Sequence, residues 1–591
     1  MTSFSIEGRD FIINGKKTQI ISGAIHYFRV VPEYWRDRLL KLKACGFNTV
    51  ETYIAWNIHE PKRGQFNFTG IADIVRFIEI AGELDLHVII RPSPYICAEW
   101  DFGGLPSWLL AEDGMKLRCY YQPYLDRVDA YYDVLMPLLV PHLHTNGGPI
   151  IAMQVENEYG SYGNDKAYLA YIREGMIKRG INVLLFTSDG PEDHMLQGGM
   201  LPCTLPTANF GSKPEEAFAK LSEYEPDRPL MCMEYWNGWF DHWGEEHHVR
   251  GFDDVADVLD RILKSGASVN FYMFQGGTNF GFYNGANYFT SYEPTVTSYD
   301  YNALLSESGD ITDKYLAIRS VISKYADIPE GIMPPSIPKK SYGTVPMTGQ
   351  ARLFGQLEAL SKPVKRAYTE TMEKLGQDYG FVLYTTHVSG PRPLSKVTVQ
   401  EVRDRALVYF NGHYEGVIER NKHELTLAIG EGDIALETPL EGASLSLLVE
   451  NMGRINYGWK MQDPKGITEG VRIERQFLYD WTMHPLPLDD LSGIVYSPLE
   501  TGAGLQEEPT FYSGSFHVDQ PEDTFLNMTG WTKGVVFVNG FNLGRYWEIG
   551  PQVTLYVPAP LLRTGDNEII IFELHGAKNL QVTLQDHPDL G

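Results

Sequence analysis

The chain has 591 residues, too many for one domain, and its 43% hydrophobic and 21% charged residues are the balance of a globular protein with ample core. A formal charge of −26 argues against nucleic acid and anionic membranes as partners, since both would be repelled. Aromatic residues reach 13%, with 11 Trp and 35 Tyr, an excess that suits stacking on sugar rings as well as core packing.

The five cysteines, Cys45, Cys97, Cys119, Cys203 and Cys232, are odd in number, sparse and without a CxxC pair, so neither a disulfide framework nor a zinc site is expected. Met1 to Glu7 lacks the basic start and apolar stretch of a secretion signal, and no apolar run approaches the ~18–20 residues that span a bilayer. A cytoplasmic protein is the default reading. Without a secretory route, Asn67-Phe68-Thr69 and Asn527-Met528-Thr529 read as chance matches to the glycosylation pattern.

In chain order, Phe11-Ile12-Ile13 and Gln19-Ile20-Ile21 flank Asn14-Gly15, a hairpin signal whose second arm is expected to run on into a strand ending near Ala24 to Tyr27. Pro32 opens a helix that Gly46 stops, with Trp35, Leu39 and Leu42 on one face. Strands follow at Thr49–Tyr53, His87–Arg91, Ile150–Gln154, Leu184–Thr187, Cys203–Ala208, Leu230–Glu234 and Val269–Met273. Helical patterns between them include Ile71–Leu84, Tyr124–Leu139 and Val255–Lys264. Eight strands with helical crossovers predict an α/β catalytic (β/α)8 TIM barrel over residues 1–327.

After Ala326 the texture changes. The proline-rich stretch from Ile328 to Pro338 reads as a surface linker, and residues 328–370 as linker and β segment crossing to the C-terminal domains. Short strands and turns then predict two all-β sandwich or jelly-roll domains, 371–488 and 489–591. VYFNGHYEG from Val408 and VFVNGFNLG from Val536 share an Asn-Gly turn and a following glycine, their turns lying 128 residues apart. Each is followed by an apolar strand, Leu445–Val449 and Ile569–Phe572, which suggests that the two domains are related.

Chemistry concentrates at two strand ends. Ile150-Ile151-Ala152-Met153 empties into Gln154-Val155-Glu156-Asn157-Glu158, and Leu230-Met231-Cys232-Met233 into Glu234-Tyr235-Trp236. Two acids at the mouth of one barrel, with aromatics beside them, point to glycoside hydrolysis. Glu156 and Glu158 share a parity along the chain, so alternation does not choose between them. Competing chemistry is thin. There is no GxSxG elbow or Walker loop, Gly276-Gly277 lacks dinucleotide spacing, and His242, Glu245, Glu246, His247 and His248 match no zinc pattern. No cofactor and no metal are expected.

The blocks SGAIHYFRV, ETYIAWNIHEP, RPSPYICAEWDFGGLPSWL, GGPIIAMQVENEYGSYG, EYWNGWFDHWG and TSYDYNALLSESG occur in that order between residues 22 and 309, and GRYWEIGPQVTLYVP follows at 544–558. Together they resemble glycoside hydrolase family 35, the β-galactosidases, in its compact bacterial form; the likeness covers nearly the whole chain. The resemblance implies removal of terminal β-galactose with retained configuration, Glu234 as nucleophile and Glu158 as acid/base, with galactose-binding-like folding of the last domain. It implies sugar contacts from Tyr53, Cys97, Ala98, Glu99, Tyr299 and Tyr301, with Tyr299 against the nucleophile, and from Asn157 to the 2-hydroxyl. Tyr27 and Asn209 are further candidates. Trp236, Trp239 and Trp243 after the nucleophile, with Tyr457 in GRINYG, are expected to hold the leaving sugar and to favour β-1,3-linked galactose on N-acetylhexosamine. An exo-β-glucosaminidase or β-fucosidase, or a non-catalytic galactose-binding protein, are the alternatives. The partner implied is a small oligosaccharide, with a homodimer left open.

Overall fold

The computed structural model describes residues 4–422, 429–499 and 508–591, so Met1 to Ser3 of the N-terminal reading and short parts of both all-β ranges lie outside it. Eight parallel strands close into a barrel: β1 (Ile21–Ile25), β2 (Thr49–Tyr53), β3 (His87–Arg91), β4 (Ile150–Gln154), β5 (Leu184–Asp189), β6 (Leu205–Phe210), β7 (Met231–Trp236) and β8 (Ser268–Gln275). Nearly every strand residue is buried, because side chains on one face fill the barrel and those on the other meet the helices.

The helices begin and end for local reasons. Asp73 caps Ile74–Glu83 by accepting from Arg76 N at 2.9 Å, and Asp165 caps Lys166–Lys178 by accepting from Tyr168 N at 3.1 Å. Gly46, at φ +100°, ends the helix Trp35–Ala44 in the left-handed region a side chain avoids. The N-terminal hairpin is shorter than expected: Asp10–Ile13 pairs with Lys16–Lys17 across Asn14-Gly15, and the second arm ends there instead of running on into β1. Phe11, Ile13 and Ile20 pack with Ile89, Ile151, Phe186, Met231 and Met233, so this hairpin closes the barrel on the side opposite the strand C-terminal ends.

The first all-β module packs a six-stranded sheet on a four-stranded one. Val382 and Tyr384 face the partner sheet, while Phe381 and Leu383 on the same strand face the second module, the period-2 alternation of a strand buried on both sides. The second module's sheet includes Gly343–Arg352, so the chain visits that module before forming the first. The repeated NG segments form the same hairpin. Asn411 and Asn539 have φ of 49° and 50°, and each side chain accepts from the neighbouring strand, at Ser444 N and Glu568 N, 2.9 and 3.0 Å away. Each hairpin also carries a register shift at the matching position, after Val408 and after Val536.

The modules are bound to the barrel by buried charge. Arg454 of the first module donates to Asp101 Oδ2 at 3.1 Å and to Glu373 Oε1 at 2.7 Å, with all three side chains essentially unexposed. Burial pushes both acids up and Arg454 draws them back down. Tyr95 Oη donates to Asn456 O at 2.7 Å, and Arg545 of the second module reaches Asn284 of the barrel loops and Asn451 of the first module. Arg454→Met leaves Asp101 and Glu373 buried without their cation. It should cost about 3–5 kcal/mol, read as a lower urea midpoint; an unchanged midpoint would mean the cluster does not join the modules to the barrel.

Candidate active site

A cavity of about 290 Å³ opens at the C-terminal ends of the strands. Glu234, on β7, is 5% exposed and holds two buried donors on one oxygen: Arg91 Nη2 at 2.6 Å and Tyr53 Oη at 2.8 Å. Trp236 Nε1 donates to its other oxygen at 3.1 Å. Guanidinium and indole can only donate, so both Glu234 oxygens serve as acceptors here. Arg91 ends β3 and Tyr53 ends β2, so three strand ends converge on one carboxyl group.

Glu158 enters from the β4 side. The strand ends at Gln154, and Glu156 and Glu158 have φ of 57° and 45°, so strand alternation does not extend to either. Glu156 turns into the protein, clamped by Arg118 through both oxygens at 2.8 and 2.9 Å and by Tyr168 Oη at 3.1 Å. Glu158 lines the cavity, half-buried, and accepts from Asn209 Nδ2 at 3.0 Å. Burial, reinforced by the charge of Glu234, pushes its pKa from 4.5 up to about 8, so at neutral pH it carries a proton.

The third wall is a left-handed run. Cys97, Ala98 and Glu99 have φ of 60°, 61° and 47°, a conformation costing about 1–2 kcal/mol per residue. It is held by Gly285 N on Glu99 O at 2.8 Å, Arg29 on the Ala98 carbonyl, and Trp100 N on Cys97 O at 3.2 Å. All three residues line the cavity, with Tyr53, Tyr301, Trp236, Trp239 and Tyr457. Burial raises the Glu99 carboxyl to about 7, opposed by the Tyr299 hydroxyl at 2.5 Å and by Arg29. Burial likewise pushes the Cys97 thiol up, the opposite of an activated nucleophile. The Tyr299 and Tyr301 backbone lies tight against Gly276 and Gly238: a β-carbon there would stand 1.5 Å from Tyr299 O and 1.7 Å from Tyr301 O.

Several expected contacts sit elsewhere. Tyr299 does not touch Glu234; its hydroxyl bonds Glu99 and Tyr272, and Tyr53 occupies the place against Glu234. Tyr27 is core, its hydroxyl on His59 Nε2 at 2.5 Å and its ring against Trp35 and Phe77. Trp243 is not among the residues lining the cavity, and its ring lies 6.4 Å from that of Trp547 in the second module. Asn209 reaches the site through Glu158. Asn157 does not line the cavity; its carbonyl oxygen takes donors from Tyr53, Arg91 and Gln154 at 3.1, 2.6 and 3.0 Å.

Sequence reasoning missed Arg91, Tyr272, Phe240, Asn287 and Phe289. Arg91 carried the signal that revealed the glutamates, a charge ending an apolar strand. Tyr272 looks like any core tyrosine of β8, and the hairpin holding Asn287 and Phe289 has no apolar run to mark it.

Known proteins resemble this chain over nearly its whole length. The family described as Glycosyl hydrolases family 35 matches residues 10–325. "Beta-galactosidase, first all-beta domain" matches 370–487, and "Beta-galactosidase, galactose-binding domain" matches 509–567. A beta-galactosidase of Bos taurus is 45% identical, spanning 96% of this chain and 89% of that protein. The Homo sapiens beta-galactosidase is 44% identical across 98% and 89%, and a beta-galactosidase-1-like protein 3 of Rattus norvegicus 43% across 95% and 88%. Among the described residues no helix is long and apolar enough to cross a membrane.

The raised Glu158 carboxyl has a stability consequence independent of turnover. The folded chain holds this proton up to about pH 8 and the unfolded chain only to 4.5, so folding loses stability as pH climbs between them. Glu158→Gln, a fixed neutral isostere, escapes that loss. Its melting temperature relative to the parent should rise from pH 5 to pH 8; a constant or falling difference would show that Glu158 ionises normally.

Proposed function

The chain belongs to glycosyl hydrolases family 35, and from that premise we propose that this glycosidase is an exo-β-galactosidase that retains configuration, with Glu234 as nucleophile and Glu158 as acid/base. The observation that carries the proposal is the contrast between the two acids. One is addressed by Arg91, Tyr53 and an indole; the other is half-buried, neutral and within the field of the first. Environments that separate two carboxyl groups in this way assign nucleophile and acid.

In the first step a Glu234 oxygen bonds the anomeric carbon of galactose while Glu158 gives its proton to the departing oxygen. Covalent attachment removes the charge of Glu234. That charge is the second cause, after burial, of the raised Glu158 pKa, so the pKa falls and Glu158 becomes the base that deprotonates the incoming water. Water attack from the side the leaving group vacated releases β-galactose. Glu99 and the Cys97–Ala98 backbone would meet the sugar's hydroxyls, and Asn157 would hold Tyr53 and Arg91 against the nucleophile.

For the leaving sugar, Trp236, Trp239 and Phe240 form one aromatic wall, Trp239 stacked on Phe240 at 4.9 Å, with Tyr457 also lining the cavity. Trp236 stands edge-on to Trp239, at 82°, so the flat face is the stacked Trp239–Phe240 pair. Such a face fixes the tilt of the acceptor ring, and tilt separates β-1,3 from β-1,4 links. The preference proposed is β-1,3-linked galactose on N-acetylhexosamine.

Two experiments test this reading. Glu158→Gly should lose about 10²–10⁴-fold on unactivated galactosides and be rescued by azide on an activated one, giving the β-galactosyl azide. Glu234→Gly should give the α-azide, because azide then occupies the nucleophile's vacated face. Rescue through Glu156→Gly, or the opposite anomers, would overturn the roles. On the β-1,3 and β-1,4 isomers of galactosyl-N-acetylglucosamine the parent should favour the first. Trp239→Ala should cost the β-1,3 disaccharide about tenfold in kcat/KM while sparing aryl galactosides. Equal rates on both isomers would remove the linkage claim, and faster release from aryl β-glucosaminides or β-fucosides would favour those activities.

A further inference from the structure

Beside the active site lies a second cavity of about 450 Å³, lined by Tyr288, Asn421, Trp459, Lys460, Gln462 and Glu469 among others. Two segments wall it off from the first, and each contributes to both. On the hairpin Ala286–Tyr288, Asn287 and the following Phe289 line the active site while Tyr288 lines the second cavity. On the loop from the first module, Tyr457 lines the active site, and Gly458 at φ +87° turns the chain so that Trp459 lines the second. The cavities are therefore neighbours across a one-residue ridge.

The ridge is aromatic and uncovered. Phe289 is 65% exposed and Trp459 79%. Exposed indole and phenyl faces at a cleft mark a place for a ligand with an apolar face, and the C–H face of a pyranose is one. Lys460 Nζ lies 3.7 Å from the Tyr288 ring centroid and 5.0 Å from that of Trp459. Arg403 and Arg420 in the same cavity are paired with Glu401, Asp404 and Asp463. Lys460 is left as the cation without an acidic partner there among the described residues, a donor for hydroxyl or acetamido oxygens. The net charge of −26 on the whole chain weighs against a strongly acidic glycan, so the ligand class is taken as neutral.

We propose that this second cavity binds the distal sugars of a longer neutral oligosaccharide whose terminal galactose occupies the active site, with Trp459 as the stacking face for the third or a later sugar. The proposal rests on the galactosidase reading and adds chain length as a determinant of specificity. Because only binding beyond the cleaved bond is gained, the benefit appears in kcat/KM for long substrates and nowhere else.

The test compares parent and Trp459→Ala on an aryl β-galactoside, a galactosyl-N-acetylglucosamine disaccharide, and a neutral tetrasaccharide ending in that disaccharide. The parent should prefer the tetrasaccharide to the disaccharide by about fivefold or more in kcat/KM, and the variant should lose that preference while its other two rates stay within about twofold. Trp459 is mostly exposed, so the variant should melt with the parent. Equal parental rates on di- and tetrasaccharide, or a preference that survives in the variant, would overturn the proposal. Failure of the parent to cleave either short substrate would instead overturn the galactosidase reading, and this proposal with it.

Discussion

The site depends on how Arg91 is held. A buried guanidinium is costly unless its donors are met. Here Gln154 meets Nε, and Asn157 and Glu234 meet Nη2, while Nη1 has no hydrogen-bond partner among the described residues and Tyr53 lies beneath the plane, 4.1 Å from centroid to carbon. Glu51, on β2, stands 3.9 Å from its Nε. Two carboxyl groups thus compete for one cation in a dry interior. Burial pushes Glu51 up to about 7, with Arg91 opposing and Glu234 adding to the rise, whereas Arg91 Nη2 donates directly to Glu234 at 2.6 Å. The charge of Arg91 is then directed at Glu234. Strand ends from β2, β3, β4 and β7 are fixed relative to one another by this cluster, which is why residues scattered from position 51 to 234 behave as one site.

The all-β modules complete what the barrel leaves open. The first sends the 453–463 loop over the barrel mouth, anchored by Arg454 on Asp101 and by Tyr95 on Asn456 O, and this loop carries Tyr457 into the cavity. The second stands behind it through Lys533 on Glu450 at 2.7 Å and Arg545 on the barrel loops. Barrel and modules therefore share the active-site wall, and the Cys97–Glu99 run is kept in its costly conformation partly by Asn456 Nδ2, 3.6 Å from Cys97 Sγ.

Much of this was legible in the sequence because it rests on local pattern. Apolar runs between capped helices gave the barrel strands to within a few residues; the sixth, expected at Cys203–Ala208, lies at Leu205–Phe210, where Leu201-Pro202-Cys203 leaves no clear start. The Asn-Gly signal gave both module hairpins because left-handed turn residues act locally. The two strand-end glutamates were visible for the same reason. What stayed hidden depends on tertiary direction. Nothing local to Trp243 says that it turns toward Trp547, or that Tyr299 serves Glu99 while Tyr53 serves Glu234. Nor does the sequence around Glu156 announce Arg118, 38 residues earlier, which removes that acid from the cavity.

The central claim, that Glu234 forms a bond to galactose, is tested most directly by trapping that bond. A 2-fluorogalactoside with an activated leaving group should inactivate the protein one-to-one, and peptide mapping by mass spectrometry should find the fluorogalactosyl group on Glu234. The same group on Glu158 or Glu156, or hydrolysis whose first-formed galactose is the α anomer and which leaves no adduct, would contradict the account.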